Sequence, residues 1–111
     1  MKKSEKVIVL GASTNEERYS NMAIKLLTKN NHSVIPVNPK EKTIEGLEVI
    51  NNLSEIKEPI DTLTIYVKPN ILAHEIDNII NISPKRVIFN PGTEDTELQK
   101  LLEKNEIICQ L

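Results

Sequence analysis

The chain has 111 residues, 14 Lys and Arg against 16 Asp and Glu, a formal charge of -2 and one cysteine. That length suits one domain over residues 1–111 and leaves no room for a second, while the missing positive excess argues against a nucleic-acid backbone as partner. Cys109 alone excludes an internal disulfide and a cysteine pair for zinc or redox chemistry, so a reducing cytoplasm is the expected compartment.

Hydrophobic residues make up 39% of the chain and aromatics only 3%, so the core must be built from Ile, Leu and Val. Such residues suit a parallel sheet buried on both faces. The start, Met1 to Lys6, carries lysines but runs directly into a short apolar strand, without the long apolar region or cleavage site of a secretion signal. No apolar stretch approaches the ~18 residues of a membrane span, so a soluble protein with no membrane partner is expected.

Val7-Ile8-Val9-Leu10, closed by Gly11, reads as a central first strand. Met22, Ala23, Leu26 and Leu27 recur at helical spacing from Ser20 to Asn30, with Ser20 as a cap and Asn30-Asn31 as a stop. Val34-Ile35-Pro36-Val37 is a second strand whose proline lacks a ladder donor, which leaves one side of its far end unpaired. Asn38 to Pro59 is the least regular segment, with a short strand near Leu47 to Ile50 and a helical turn from Ser54.

Leu63 to Val67 is the next strand, and Pro69 fits the first turn of a helix striped by Leu72, Ile76, Ile79 and Ile80. Val87-Ile88-Phe89 follows; Thr93 can cap a helix with Glu94 and Asp95 in its first turn and Leu98, Leu101 and Leu102 facing inward. Ile107 to Leu111 closes as a last strand. Alternating strands and helices predict an α/β, Rossmann-like, doubly wound and mostly parallel sheet of five to six strands in a three-layer α/β/α arrangement.

In such a sheet the ligand crevice lies beyond the carboxyl ends of the strands. Four loops fall there: Gly11-Ala12-Ser13 through Ser20, Asn38-Pro39-Lys40, Lys68-Pro69 and Asn90-Pro91-Gly92. The first is small and polar, so its backbone N–H groups and the following helix start can face an anion. Ser13 and Ser20 add hydroxyls, and Arg18 a guanidinium suited to phosphate. The plainer reading is a strand-to-helix turn beside a solvated arginine.

Among nucleotide patterns, G-x-G-x-x-G started at Gly11 meets Ser13 and Glu16 where glycines belong, and Asn38 stands where NAD sites carry an acidic ribose clamp. Lys40 instead suits a phosphorylated ribose, as in coenzyme A and NADP. The Gly-Lys-Ser/Thr of a Walker loop is absent.

Val9-Leu10-Gly11-Ala12-Ser13, Arg18 and Ser20, Val34 through Lys40, and Pro91-Gly92 together resemble the small stand-alone CoA-binding domain proteins. These are similar to the CoA-binding domains of the succinyl-CoA synthetase α subunit and of ADP-forming acyl-CoA synthetases. The resemblance runs from about Lys6 to Ile108. It implies coenzyme A or an acyl-CoA across the rim, with Gly11, Ala12, Ser13, Arg18 and Ser20 at the phosphates. Asn38, Pro39 and Lys40 would lie by the adenosine, and Val67, Lys68, Pro69, Asn90, Pro91 and Gly92 along the middle or pantetheine arm. Members often continue beyond the last strand, whereas this chain ends at Leu111.

No residue is placed for catalysis or for a metal. The synthetases' phosphohistidine lies on a domain this chain does not contain, His32 falls in a turn at the opposite end of the sheet, and His74 lies within a helix. Cys109 reads as a small core residue, and Glu16-Glu17 and Glu94-Asp95 as outward-pointing helix-start carboxylates. The expectation is a non-catalytic CoA or acyl-CoA holder. Two alternatives stay open: an NADP-binding oxidoreductase or its remnant, and an interaction subunit working through a partner protein without a bound nucleotide.

Overall fold

The computed structural model describes residues 4–111. In chain order the elements are β1 (Lys6–Leu10), α1 (Tyr19–Lys29), β2 (Ser33–Val37), β3 (Thr43–Ile44), β4 (Leu47–Glu48), a 3-10 turn (Leu53–Glu55) and β5 (Thr62–Ile65). There follow α2 (Pro69–Leu72), α3 (Ile76–Ile82), β6 (Arg86–Phe89), α4 (Thr96–Lys104) and β7 (Ile108–Gln110). β2, β1, β5, β6 and β7 form one parallel sheet in that order. The fold is the α/β Rossmann-like arrangement that the alternating pattern predicts.

The two-residue period of a strand sends alternate side chains to opposite faces. Ile8, Leu10, Leu63, Ile65, Val87 and Phe89 turn to one side and close a core with Leu72, Ile76, Ile79 and Leu102 from the three later helices. On the other side Val9 packs with Ala12, with Ile24 of α1, and with Ile44 and Val49 around the small hairpin. Each of the buried Val, Leu, Ile and Phe side chains among these contributes roughly 1.5–3 kcal/mol.

β2 is an edge strand because of Pro36. In a strand, a residue's N–H and C=O point to the same side; the Pro36 carbonyl accepts from the Ile50 amide at 3.0 Å, so the missing N–H faces outward, where no continuous ladder requires it. Only an isolated bridge, Val37 to Ile50, adds to that edge. The strand expected near Leu47 folds instead into an antiparallel hairpin with β3. Its turn residues Glu45 and Gly46 both have positive φ, 51° and 76°, as a tight hairpin connection requires.

Several local expectations are corrected. α1 starts at Tyr19 with Arg18 in the N-cap position, and Ser20 lies buried in the first turn and caps nothing. α1 buries Ser20, Asn21 and Ile24, whereas Met22 and Leu26 are 47% and 61% exposed. Asp95, not Thr93, caps α4, accepting from the Leu98 amide at 3.0 Å. Leu102 is buried, but Leu101 is exposed. The helix after Pro69 is broken between Leu72 and Ile76, which places His74 in the intervening turn rather than inside a helix.

Candidate functional site

β1 lies between β2 and β5, so the chain leaves β1 towards one edge and later returns to its other side. The loops after β1 and β5 therefore part at the carboxyl end of the sheet, which opens the crevice of this fold class. All four predicted loops follow the carboxyl ends of parallel strands and meet along this rim.

Gly11 is the pivot. Its φ is +91°, a conformation unfavourable to residues with a Cβ. A Cβ there would stand 2.9 Å from Val67 Cγ1 and 3.0 Å from the Tyr66 carbonyl carbon. The Tyr66 amide donates to Leu10 O at 2.8 Å, which holds the two diverging loops together at their roots.

Not every amide of the first loop is free for an anion. Gly11 and Ala12 both donate to Val37 O, at 3.2 and 3.0 Å. Asn15 N donates to Ser13 Oγ and Glu17 N to Asn15 Oδ1, both at 3.0 Å, and Arg18 N to Asn15 O at 3.0 Å. Among the described residues, the amides of Ser13, Thr14 and Glu16 and the first-turn amides of Tyr19 and Ser20 meet no acceptor, so these are the backbone donors the loop and the α1 start leave open to an anion. Gly11 and Ala12 shape the turn, with their own N–H groups committed to the sheet.

Asn38 locks the second loop to the first. Its Nδ2 donates to Ala12 O at 2.9 Å, and its Oδ1 accepts from the Lys40 and Glu41 amides at 2.8 and 3.0 Å. Asn51 Nδ2 then donates to Asn38 O and Glu41 O, at 2.8 and 3.0 Å. Pro39 and Lys40 are thereby presented at the surface. Lys68 occupies the N-cap of α2 and Pro69 its first position, as the sequence predicts.

In the fourth loop the Asn90 side chain reaches back to the sheet, its Nδ2 donating to Thr64 Oγ1 and to Ile65 O, both at 2.7 Å. The buried Thr93 hydroxyl donates to Asn90 O at 2.7 Å, and Gly92 N donates to Glu94 Oε1 at 2.6 Å. Pro91 and Gly92 remain exposed. Arg18, Lys40 and Lys68 thus stand exposed on three separate rim loops.

Asn21 and Asn51 were invisible to motif reading, since an asparagine without a glycine or proline neighbour carries no special pattern. Asn21 is fully buried; its Nδ2 donates to Ser13 O at 2.9 Å and to Glu45 Oε2 at 3.1 Å. Its Oδ1 has no donor among the described residues. It ties the loop after β1 to the hairpin turn.

Of the carboxylates expected to point outward, Glu94 instead bonds the Gly92 amide in the fourth loop and Asp95 caps α4. Glu16 is turned outward and paired with Lys25; their hydrogen bond is the main cause that lowers the Glu16 pKa and raises that of Lys25. His32 sits at the amino end, its Nδ1 accepting from the Glu5 amide at 2.9 Å. Burial, with a smaller contribution from Glu103, pushes the Cys109 thiol up to about 11. Among the described residues no group of His, Cys, Asp and Glu could hold a metal, and no helix is long and apolar enough to cross a membrane.

Comparison with known proteins agrees with this geometry. The sequence profile of the CoA binding domain family matches residues 5–110. The uncharacterized protein YneT of Bacillus subtilis (strain 168) is 30% identical over 104 residues, 94% of this chain and 77% of that one. A hypothetical protein from Pyrococcus horikoshii OT3 superposes with a TM-score of 0.90 at 27% identity, covering 97% of this chain and 76% of its own. The dinucleotide forming acetyl-coenzyme A synthetase 1 of Ca. Korarchaeum cryptofilum shares the fold at 21% identity and a TM-score of 0.77, over 95% of this chain and 25% of that one.

Proposed function

We propose, from the premise that this chain belongs to the CoA binding domain family, that it binds coenzyme A or an acyl-CoA across the carboxyl rim without catalysing a reaction. The observation that carries this reading is the joining of two loops: Asn38 donates to Ala12 O, and Gly11 and Ala12 donate to Val37 O. A phosphate-seeking turn and a lysine-bearing loop are thereby held side by side at the strand ends. Coenzyme A carries a pyrophosphate and a ribose 3′-phosphate, and this rim offers both a helix start and separated cations.

In detail, the Ser13 and Thr14 amides, the Ser13 hydroxyl and Arg18 hold the pyrophosphate, with Ser20 and the α1 start beneath it. Lys40 meets the ribose phosphate beside Asn38 and Pro39. Val67, Lys68, Pro69, Asn90, Pro91 and Gly92 flank the pantetheine arm. His32 lies at the amino end of the sheet, away from the rim loops, and burial pushes the Cys109 thiol up to about 11. The protein works as a holder in this account, with the cytoplasm as its compartment.

Amide chemical-shift mapping tests the reading. Added CoA shifts the amide resonances of residues 13–20 together with those of Asn38, Lys40, Val67, Lys68, Asn90 and Gly92; perturbations confined to the amino end around Glu5 and His32 would refute it.

A further inference from the structure

We propose that the chain also carries an acyl site, a cleft between α1 and the ends of β5 and β6 that takes the aliphatic acyl group of a medium-chain acyl-CoA. The inference rests on the CoA reading above and narrows it to a ligand class. The cleft encloses about 430 Å³, and its lining includes Tyr19, Met22, Leu26, Tyr66, Asn90 and Pro91. It starts at the rim, since Pro91 belongs to the fourth loop and Tyr19 directly follows Arg18.

The helix presents this lining in an unusual way. Tyr19, Met22 and Leu26 follow the i, i+3, i+7 spacing of one helix face, yet they are 79%, 47% and 61% exposed while Ser20 and Asn21 are buried. A stripe of large apolar side chains on α1 is thus left at the mouth of the cleft, where solvent contact is unfavourable and a chain of methylenes would cover it.

The cleft has depth as well as a mouth. A second cavity of about 260 Å³ shares Ala23, Leu26, Tyr66 and Asn90 with the first and continues down the sheet to Arg86. From Asn90 to Arg86 along β6 is roughly 13 Å at the usual strand rise, a length for a medium acyl chain. Arg86 closes the far end; its guanidinium is already held by Thr62, Gln110 and Glu5 at 2.8, 3.1 and 3.3 Å, so the floor does not demand a charged ligand group.

The polar group at the entrance fits a pantetheine arm. Because Asn90 Nδ2 is committed to Thr64 Oγ1 and Ile65 O, its amide orientation is set and Oδ1, which has no donor among the described residues, remains to accept an amide N–H.

Calorimetric titration of the full chain with CoA and with acetyl-, butyryl- and octanoyl-CoA tests the assignment. Affinity should rise along the acyl series, with octanoyl-CoA at least tenfold tighter than acetyl-CoA; full burial would give about fourfold per methylene. Ala23→Leu, at the neck shared by the two cavities, should remove that preference and leave CoA affinity within about twofold. Leu26→Gln, at an exposed position, should weaken octanoyl-CoA several-fold without lowering the melting temperature. CoA binding with no dependence on chain length overturns the acyl site and leaves the CoA reading standing; no binding by any of these ligands overturns both.

Discussion

Gly11 and Val67 approach so closely that a Cβ on the glycine would stand 2.9 Å from Val67 Cγ1. The contact joins the loop after β1 to the loop after β5 at the point where the strand order reverses. Gly11→Ala should therefore destabilise the fold by about 2 kcal/mol or more, through strain at positive φ and through overpacking. Adding Val67→Ala should restore only part of the loss, because the Tyr66 carbonyl carbon and oxygen still lie at 3.0 and 3.1 Å. Thermal unfolding of both variants measures this, and full recovery in the double variant would show that side-chain crowding alone makes glycine necessary.

Asn38→Ala removes a donor to Ala12 O and an acceptor for the Lys40 and Glu41 amides. A loss of about 1–3 kcal/mol is expected from denaturant unfolding, since the groups left behind are partly buried. Asn38→Asp should be at least as damaging, because it keeps the acceptors but sets a carboxylate against the Ala12 carbonyl. An aspartate variant as stable as the parent would mean that the Ala12 bond contributes nothing.

Arg18 makes no side-chain cap and is exposed, so Arg18→Ala should leave the melting temperature unchanged. Its effect belongs to the ligand: CoA affinity should fall by a factor of about 5 to 150, the range for a hydrogen bond to a charged group. Equal affinity of parent and variant would remove Arg18 from the phosphate contacts.

The Cys109 thiol, raised from its ordinary 9.0 to about 11 chiefly by burial, should react slowly with iodoacetamide. At pH 8 its thiolate fraction is about a hundredfold below that of a thiol of ordinary pKa, so alkylation should be slower by a similar factor and rise steadily towards pH 11. Stability follows the same protons. Below pH 9 folded and unfolded chains both keep the proton; between about 9 and 11 only the folded chain keeps it, so stability falls as pH rises through that window. A thiol that alkylates at the rate of a free cysteine at pH 8 would contradict the burial argument.

The strands of the parallel sheet were legible as short, largely aliphatic runs, which Gly11, Asn38 and Asn90 close after β1, β2 and β6, and the edge position of β2 followed from the missing N–H of Pro36. The rim loops were legible for the same reason: once strands alternate with helices, their carboxyl ends line up. The face of α1 was not legible. Periodicity sorts residues by apolarity, but Asn21 is buried by its hydrogen bonds to Ser13 O and Glu45, and that burial turns Met22 and Leu26 towards solvent. The cap of α4 was misplaced for a related reason. Thr93 and Asp95 are both good caps, and the Thr93 hydroxyl is taken by a local bond to Asn90 O, three residues back, which leaves Asp95 to cap. In the candidate site, the small polar character of the loop after β1 could be read from the sequence, but which of its amides remain free could not, since Val37 O claims those of Gly11 and Ala12 only after β1 and β2 pair.

The most direct test of the central claim is calorimetric titration of the protein with CoA, dephospho-CoA, NADPH and NADH under one buffer condition. CoA should bind most tightly, with dephospho-CoA weaker by about tenfold for loss of the ribose phosphate at Lys40 and NADH weakest. No heat with CoA at millimolar concentration, or NADPH binding more tightly than CoA, would contradict it.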